Sequence, residues 1–183
     1  PGLPERLAPW LAWTDAIALA AALDATPPAA APPARAAAAG RDAVTALDAA
    51  RRTLTLAIEH DAPEDIDADA WPTDATPGQR YRAHQQAMDR RIGPLRSRVR
   101  AALAAQSPDL GRVAMLDQRL EQALAARERQ LLSALPAWLD HRLQRNPAPP
   151  LSVMQPLLHA ELAHRLQPVA GMVASLPHRS RTP

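Results

Sequence analysis

Three aspartates, Asp65, Asp67 and Asp69, alternate along the chain as the first ligands of a calcium-binding loop do. Such a loop also needs a glycine at its sixth position, for the turn, and a bidentate glutamate at its twelfth. Here those positions hold Ala70 and Thr76. Because the turn residue and the last ligand are both missing, we interpret the aspartates as part of a solvated acidic loop. We expect no metal and no cofactor.

A second metal-like pattern is formed by His159, Glu161 and His164. A zinc-binding helix needs two histidines four residues apart, so that both imidazoles lie on one face. These histidines are five residues apart, which separates them by roughly 140° around a helix. The spacing therefore disfavours zinc, and we expect the remaining histidines, His84 among them, to lie on the surface.

Nucleophilic chemistry has no better support. The chain contains no cysteine, its six glycines never cluster into a phosphate loop, and no serine lies in a glycine-rich elbow. Ser107 and Ser152 stand where helices are predicted to begin, which explains them as helix caps. We therefore predict no catalytic residue, no small-molecule substrate, and a protein that is not an enzyme.

Charge is segregated along the middle of the chain. Seven acids lie between Glu59 and Asp74, and seven arginines lie between Arg80 and Arg100, although the net charge is only +2. The candidate interaction surface within this arginine group consists of Arg90, Arg91, Arg96, Arg98 and Arg100. Three interpretations stay open: a solvated helix flank neutralised by the acidic loop, a protein-docking surface, and a surface for a phosphate backbone. Nucleic acid is disfavoured, because one tyrosine and no phenylalanine leave little for base stacking.

The elements that carry these residues are predicted to be helices. Hydrophobic residues make up 47% of the chain, much of it alanine and leucine, and no segment alternates as a strand would. We expect an all-α helical bundle built on a long antiparallel helix hairpin, about 78–106 and 107–145, with shorter helices added. No apolar run is long enough for membrane insertion.

Helical spacing predicts which faces are buried. Two capping boxes, Thr76 with Gln79 and Ser152 with Gln155, mark helix starts, and Pro168 is expected to end the last helix near Leu166. The predicted buried positions are Ala43, Leu47, Ala50, Leu54 and Ile58 in a helix over about 34–60; Tyr81, Gln85, Met88, Ile92, Leu95, Val99 and Ala102 in the first arm of the hairpin; Leu110, Val113, Leu116, Leu120, Leu124, Leu131, Leu135 and Trp138 in the second arm; and Leu158, Leu162 and Leu166 in the last helix.

The domain organisation is predicted to be one helical domain over residues 1–183. It includes a proline-rich linker over 25–33, an acidic loop over 61–77 and a basic flexible tail over 177–183. A first helix over about 5–23 carries Trp10 and Trp13. Because residues three apart share a helix face, we assign these two tryptophans as candidate docking anchors.

The segments RIGPLR, QSPDL and ARERQLLSALP, together with WLAWTDAIALAAAL near the start, carry a family resemblance. The chain resembles an uncharacterised proteobacterial family of Ala/Arg-rich helical proteins, catalogued only as a domain of unknown function. The resemblance implies no catalytic residue. It does imply an envelope-associated setting, because similar genes neighbour those for a peptidoglycan-binding protein and a long coiled-coil membrane protein.

Together these observations favour a non-enzymatic helical scaffold or adaptor for protein–protein interaction in a bacterial, cytoplasmic and envelope-associated assembly. The expected partners are proteins, with a homodimer as one form. The alternative is a nucleic-acid-binding protein that uses the helix face from Arg80 to Arg100.

Overall fold

The computed structural model describes residues 17, 19–21, 24–27, 29–63 and 74–177, of which 84% are helical. None of these described residues lies in a strand, so the prediction of an all-α helical bundle is confirmed. Five helices have described bounds: α1 (Pro33–Glu59), α2 (Pro77–Gln106), α3 (Pro108–Ser133), α4 (Leu135–Arg145) and α5 (Pro150–Ala174). None of the described helices combines the length and apolarity that a membrane crossing requires.

The buried faces of α1 and α2 agree with their sequence periodicity. All five predicted positions of α1, from Ala43 to Ile58, and all seven of α2, from Tyr81 to Ala102, are buried. The capping box at the start of α2 is also confirmed. Thr76 N donates to Gln79 Oε1 over 2.8 Å, and Gln79 N donates to Thr76 Oγ1 over 3.2 Å. Helix periodicity alone was therefore sufficient to identify these two faces.

The second arm of the predicted hairpin is divided, because α3 ends at Ser133 and α4 begins at Leu135. Pro136 lies in the first turn of α4 and lacks the N–H that would bond to the carbonyl of Leu132. That carbonyl instead accepts a hydrogen bond from Gln85 Nε2 over 3.0 Å. The cap predicted for α3 is present, since Leu110 N donates to Ser107 Oγ over 3.2 Å.

Two predictions about α5 are wrong. Its start is not a capping box: the Ser152 hydroxyl donates to the carbonyl of Pro149 over 2.7 Å, and Gln155 Nε2 donates to the carbonyls of Ile58 and Glu59 at the end of α1. Nor does Pro168 end the helix, which continues to Ala174.

An internal proline removes one hydrogen bond to the residue four positions earlier. For Pro156 and Pro168 those residues are Ser152 and His164, and both are exposed. The carbonyl of Ser152, at an exposed position, can bond to water instead, which lowers the cost of Pro156. The predicted buried positions Leu158, Leu162 and Leu166 are buried as expected.

The chain divides into two compact units. Unit 1 comprises residues 1–44, 97–131 and 171–183, and unit 2 comprises residues 45–96 and 132–170. Buried alanines and valines dominate the described part of unit 1. Unit 2 holds most of the large buried side chains, and it contains all four polar or charged residues that are buried in the described chain, Asp61, His84, Gln85 and Glu161.

The segments between the helices are described only in part. Residues 25–27 and 29–32, within the proline-rich stretch, are not helical, and α1 begins at Pro33. Residues 64–73 of the acidic segment, including Asp65, Asp67 and Asp69, lie outside the described residues. So do residues 178–183 and residues 1–16, which include Trp10 and Trp13.

Candidate functional site

The densest set of polar side chains in the described chain surrounds Glu161 in unit 2. Glu161 lies on the buried face of α5 and is 4% exposed. Tyr81 Oη donates to it over 2.7 Å, Gln85 Nε2 donates over 3.1 and 3.2 Å to its two oxygens, and Arg165 Nε donates over 2.8 Å. Arg165 also pairs with Asp89 of α2. The carboxylate is therefore compensated on both oxygens, as burial of a charge requires.

The protonation states of this cluster follow from its surroundings. Burial, the hydrogen bond to Glu161 and the negative charge of Glu161 all raise the pKa of Tyr81, so its hydroxyl stays a donor. Burial alone would lower the pKa of Arg165, but the carboxylates of Glu161 and Asp89 raise it on balance. Since neither Tyr81 nor Arg165 changes charge near neutral pH, the cluster is suited to joining helices rather than to proton transfer.

A second buried polar cluster lies where the chain leaves α1. Asp61 has φ of 51°, and the bonds Asp61 N to Ile58 O (3.2 Å) and Ala62 N to Ala57 O (2.9 Å) close the helix end. This pattern is a Schellman motif, whose left-handed position is usually glycine. The left-handed backbone costs about 1 kcal/mol or more for an aspartate. We therefore expect its side chain to form a specific interaction that compensates this cost.

That interaction involves two residues one turn apart on α2. The Asp61 carboxylate pairs with Arg80 and lies 3.1 Å from His84 Nε2. His84 is 2% exposed, so the expectation that it lies on the surface is wrong. Burial, together with the positive charge of Arg80, lowers the pKa of His84 to about 4. The neutral imidazole can therefore donate Nε2–H to Asp61 at neutral pH.

The first turn of α2 contacts α4 through a third polar group. Asp140 accepts a hydrogen bond from Gly78 N over 2.7 Å and from Thr76 Oγ1 over 3.1 Å. A carboxylate beside a helix N-terminus accepts hydrogen bonds from the free N–H groups there. It also interacts favourably with the positive end of the helix dipole. The approach is close enough that a Cβ on Gly78 would lie 2.6 Å from the carbonyl of Pro136.

The predicted arginine surface does not form one free surface. Arg100, in unit 1, is paired with Asp117 and Glu121 of α3, over 2.7 and 2.6 Å. Arg90, Arg91 and Arg96, in unit 2, each interact with another group of the chain. Arg98 is exposed and belongs to unit 1. The carboxylates that pair with Arg100 therefore belong to α3 and not to the acidic loop.

A different surface stands out on α3, whose residues are all described. Only Gly111 and Ala114 of α3 are buried, so the predicted apolar edge of this helix is largely not buried. Val113 and Leu131 are 41% and 50% exposed, and Trp138 of α4, predicted on the same edge, is 48% exposed. The five large aliphatic residues along one side of α3 form what we call the α3 stripe: Val113, Leu116, Leu120, Leu124 and Leu131.

Sequence reasoning missed the Asp61 cluster and recognised only part of the Glu161 cluster. Gln85 was placed on the buried seam of α2 as its one polar member, and such a residue needs a partner. Glu161 lies between Leu158 and Leu162, with Arg165 four residues later. A charged residue on an apolar helix face beside an i,i+4 partner was the available signal. The partnership between Asp61 and α2 had none, because it depends on tertiary packing.

A family model described as "Protein of unknown function (DUF3348)" matches residues 1–147. The match therefore covers α1 to α4 and ends before α5 begins at Pro150. No curated protein and no solved structure gives a significant match to the chain.

Proposed function

We propose that this chain, which belongs to the DUF3348 family of proteins of unknown function, is a non-enzymatic helical scaffold that binds other proteins. Its partner is an α-helix with an apolar face, and its docking surface is the α3 stripe. The same proposal places the protein in the cytoplasm, within an envelope-associated assembly.

The observation that carries the proposal is the exposure of large aliphatic side chains along α3. Val113 and Leu131 stand at the two ends of the stripe, 41% and 50% exposed, and the three leucines between them are only half-buried. Side chains spaced three, four and seven residues apart lie on one face of a helix, and such a face is what another helix contacts in helix–helix recognition. A side of this length covered by a partner helix would bury apolar area that is now in contact with water.

The buried polar groups support a structural rather than a catalytic role. Glu161 has donors on both oxygens, and Asp61 is shared between Arg80 and His84. A catalytic carboxylate needs a substrate atom within hydrogen-bond reach. In both clusters the neighbouring side chains already occupy the carboxylate, so these groups are better suited to stabilising unit 2.

Site-specific photo-crosslinking in the native host tests the docking surface. A photoreactive phenylalanine analogue replaces Val113 in one variant. In the matched control it replaces Gln118, which is exposed on the same helix in the same unit. We expect a discrete adduct with one other protein from position 113 and none from position 118. Equal labelling from both positions, or no adduct from either, would contradict the proposal.

A substitution in the middle of the stripe sharpens the result. Leu120→Gln places a polar group where a partner's apolar face would lie, so the adduct at position 113 should fall by at least tenfold, which corresponds to about 1.4 kcal/mol of binding free energy. Leu56→Gln is the control, because Leu56 is 52% exposed but lies on α1 in unit 2. It should leave the adduct unchanged, and circular dichroism should show equal helix content in both variants.

A further inference from the structure

One exposed flank of α4 combines an aromatic ring with two arginines. Trp138 is 48% exposed, and Arg142 and Arg145 are exposed one and two turns later. At this spacing the three side chains leave the helix within about 60° of one another, over a rise of about 10 Å. We call this set the α4 face, and it belongs entirely to unit 2.

The charge of the α4 face is not balanced within its own helix. The acid of α4, Asp140, accepts hydrogen bonds from the start of α2. No acid lies three or four residues from Arg142 or Arg145 in the sequence, which are the positions that share a helix face. In α5, by contrast, Arg165 pairs with Glu161 four residues earlier. The α4 face therefore carries two neighbouring positive charges that the helix itself does not neutralise.

The position of the two arginines explains only part of this pattern. Both lie in the last turn of α4, where a positive charge interacts favourably with the helix dipole. The dipole gives no reason for a half-exposed indole ring beside them, and the buried side of α4 is formed by Pro136 and Leu139 instead. Tryptophan and arginine are the residue types that contribute most to binding energy at protein interfaces. Their combination on one exposed flank indicates a contact with a partner.

The chemistry of the α4 face also distinguishes between classes of partner. A phosphate backbone is bound through many basic contacts, and this face offers two arginines. A helix that lies on a membrane turns an apolar side to the lipid, but Leu139 of α4 is fully buried in the protein. A carboxylate fits this face better, because a guanidinium group binds a carboxylate through two parallel hydrogen bonds.

We propose that the α4 face binds an acidic segment of a partner protein in which carboxylates flank an apolar side chain. The carboxylates pair with Arg142 and Arg145, and the apolar side chain covers the ring of Trp138. The α3 stripe lies in unit 1 and the α4 face in unit 2, so this inference does not depend on the docking surface proposed above. The chain then carries two docking surfaces of different chemistry, one aliphatic and one cationic and aromatic.

Fluorescence anisotropy of a labelled synthetic peptide, titrated with the full chain, tests this inference. The probe repeats the unit Glu-Leu-Glu, and the matched control peptide repeats Gln-Leu-Gln. We expect saturable binding of the acidic peptide that weakens as salt is raised, because the contacts are ionic, and no binding of the glutamine peptide. Absence of saturable binding of the acidic peptide, or equal binding of both peptides, would overturn the proposal.

Substitutions locate the binding surface. Arg142→Gln combined with Arg145→Gln should lower the affinity by about tenfold or more. Arg51→Gln combined with Arg52→Gln removes the same charge from exposed positions of α1 in unit 2 and should leave the affinity unchanged. An equal loss in both double variants would overturn the proposal, because net charge alone would then attract the peptide.

The ring is tested at constant charge. Trp138→Ala should also weaken binding by about tenfold, and an unchanged affinity would overturn the role of the ring. Circular dichroism should show equal helix content in every variant. If Trp138→Ala loses helix content, the comparison of the two arginine variants still decides whether the α4 face is the site.

Competition separates carboxylates from phosphates. A single-stranded thymidine oligonucleotide and vesicles of phosphatidylglycerol are each added to the complex of the chain with the acidic peptide. We expect unlabelled acidic peptide to displace the probe more effectively than either. More effective displacement by the oligonucleotide or the vesicles would overturn the assignment to a protein segment. None of these outcomes affects the adduct expected at position 113, so the two proposals fail separately.

Discussion

Asp61 shows how a single residue can carry both a backbone cost and a compensating interaction. Its φ of 51° belongs to the region where glycine is preferred, yet its carboxylate is buried and pairs with Arg80 and His84. A strained backbone conformation persists where contacts of the residue with its surroundings hold it in place. For Asp61 these contacts are with two side chains of α2, so Asp61 joins the end of α1 to α2.

Replacement of Asp61 by asparagine separates the charge from the backbone geometry. Asparagine tolerates the left-handed conformation but cannot form the ion pair, so Asp61→Asn should lower the free energy of unfolding by about 2 kcal/mol. Asp61→Gly should cost at least as much as Asp61→Asn, because the relief of the backbone is offset by the loss of the acceptor for the buried His84 N–H. Denaturant unfolding measures both values. The control is Asp42→Asn, at an exposed position of α1, and an equal effect at positions 42 and 61 would contradict this account.

His84 gives the fold a defined dependence on pH. The charged groups facing His84 are Asp61, from the turn after α1, and Arg80, on the preceding turn of α2. Burial and Arg80 lower its pKa from 6.5 to about 4, so between these values the unfolded chain binds more protons than the folded one. The contribution of His84 to stability is therefore complete above pH 6.5 and is lost as pH falls toward 4.

The expected loss is about 3 kcal/mol between about pH 7.5 and about pH 4, since one pKa unit corresponds to about 1.4 kcal/mol. Urea unfolding across this range measures it. In His84→Gln the side chain can still donate to Asp61 but does not titrate, so the slope over this window should be smaller than in the parent chain. An identical slope in both proteins would show that other groups cause the acid sensitivity.

At the scale of the helix, one glycine of α2 and one of α5 lead to opposite predictions. A Cβ on Gly78 would approach the carbonyl of Pro136 to 2.6 Å, whereas a Cβ on Gly171 would meet no neighbouring side chain or other element within 4 Å. Gly78→Ala should force α4 away from the start of α2 and destabilise the fold by about 2 kcal/mol. Gly171→Ala should stabilise it by up to about 1 kcal/mol, because alanine is the better helix former. Thermal melting of the two variants decides this, and a shift of the same sign in both would contradict the close approach of α4.

The buried faces of α1 and α2 were predictable because each depends on residues within one helix. From Ala43 to Ile58 and from Tyr81 to Ala102, apolar side chains recur at the helical period, and no other element is needed to recognise them. The capping box at Thr76 is equally local. A hydrogen-bond pattern whose donor and acceptor are a few residues apart is present in the folded chain unless a tertiary contact takes one of those two groups.

The failures occur where a tertiary contact does compete. Gln155 was expected to cap α5, but it donates to the carbonyls of Ile58 and Glu59 in the last turn of α1. The carbonyl of Leu132, freed by Pro136, is taken by Gln85. In each case a side chain satisfies a backbone group about fifty or more residues away. The local sequence carries no sign of such a partner, so these contacts, and the burial of His84 beside Asp61, could not be read from it.

At the scale of the whole molecule, the family match and the fold have different boundaries. The match to the DUF3348 model ends at residue 147, but the core of unit 2 continues into α5. From α5 that core receives the carboxylate of Glu161, which Tyr81 and Gln85 both contact. It also receives five apolar side chains, Met154, Leu158, Leu162, Leu166 and Val169. The matched region alone would leave this face of α2 open.

A chain that ends at residue 147 is therefore expected not to fold as the full chain does. It loses the five apolar residues that α5 buries in unit 2, each worth about 2 kcal/mol. It also leaves Tyr81 and Gln85 without the acceptor that Glu161 supplies, at a further cost of about 1 kcal/mol or more for each. The total, about 12 kcal/mol, is comparable with the whole stability of an ordinary domain, about 5–15 kcal/mol. Thermal melting by circular dichroism should show a broad, non-cooperative loss of helix.

The control is a chain that ends at Leu176, which keeps all of α5 and should melt cooperatively near the melting temperature of the full protein. A cooperative transition in the 147-residue chain would mean that the matched region folds by itself and that α5 is an addition to a core already complete.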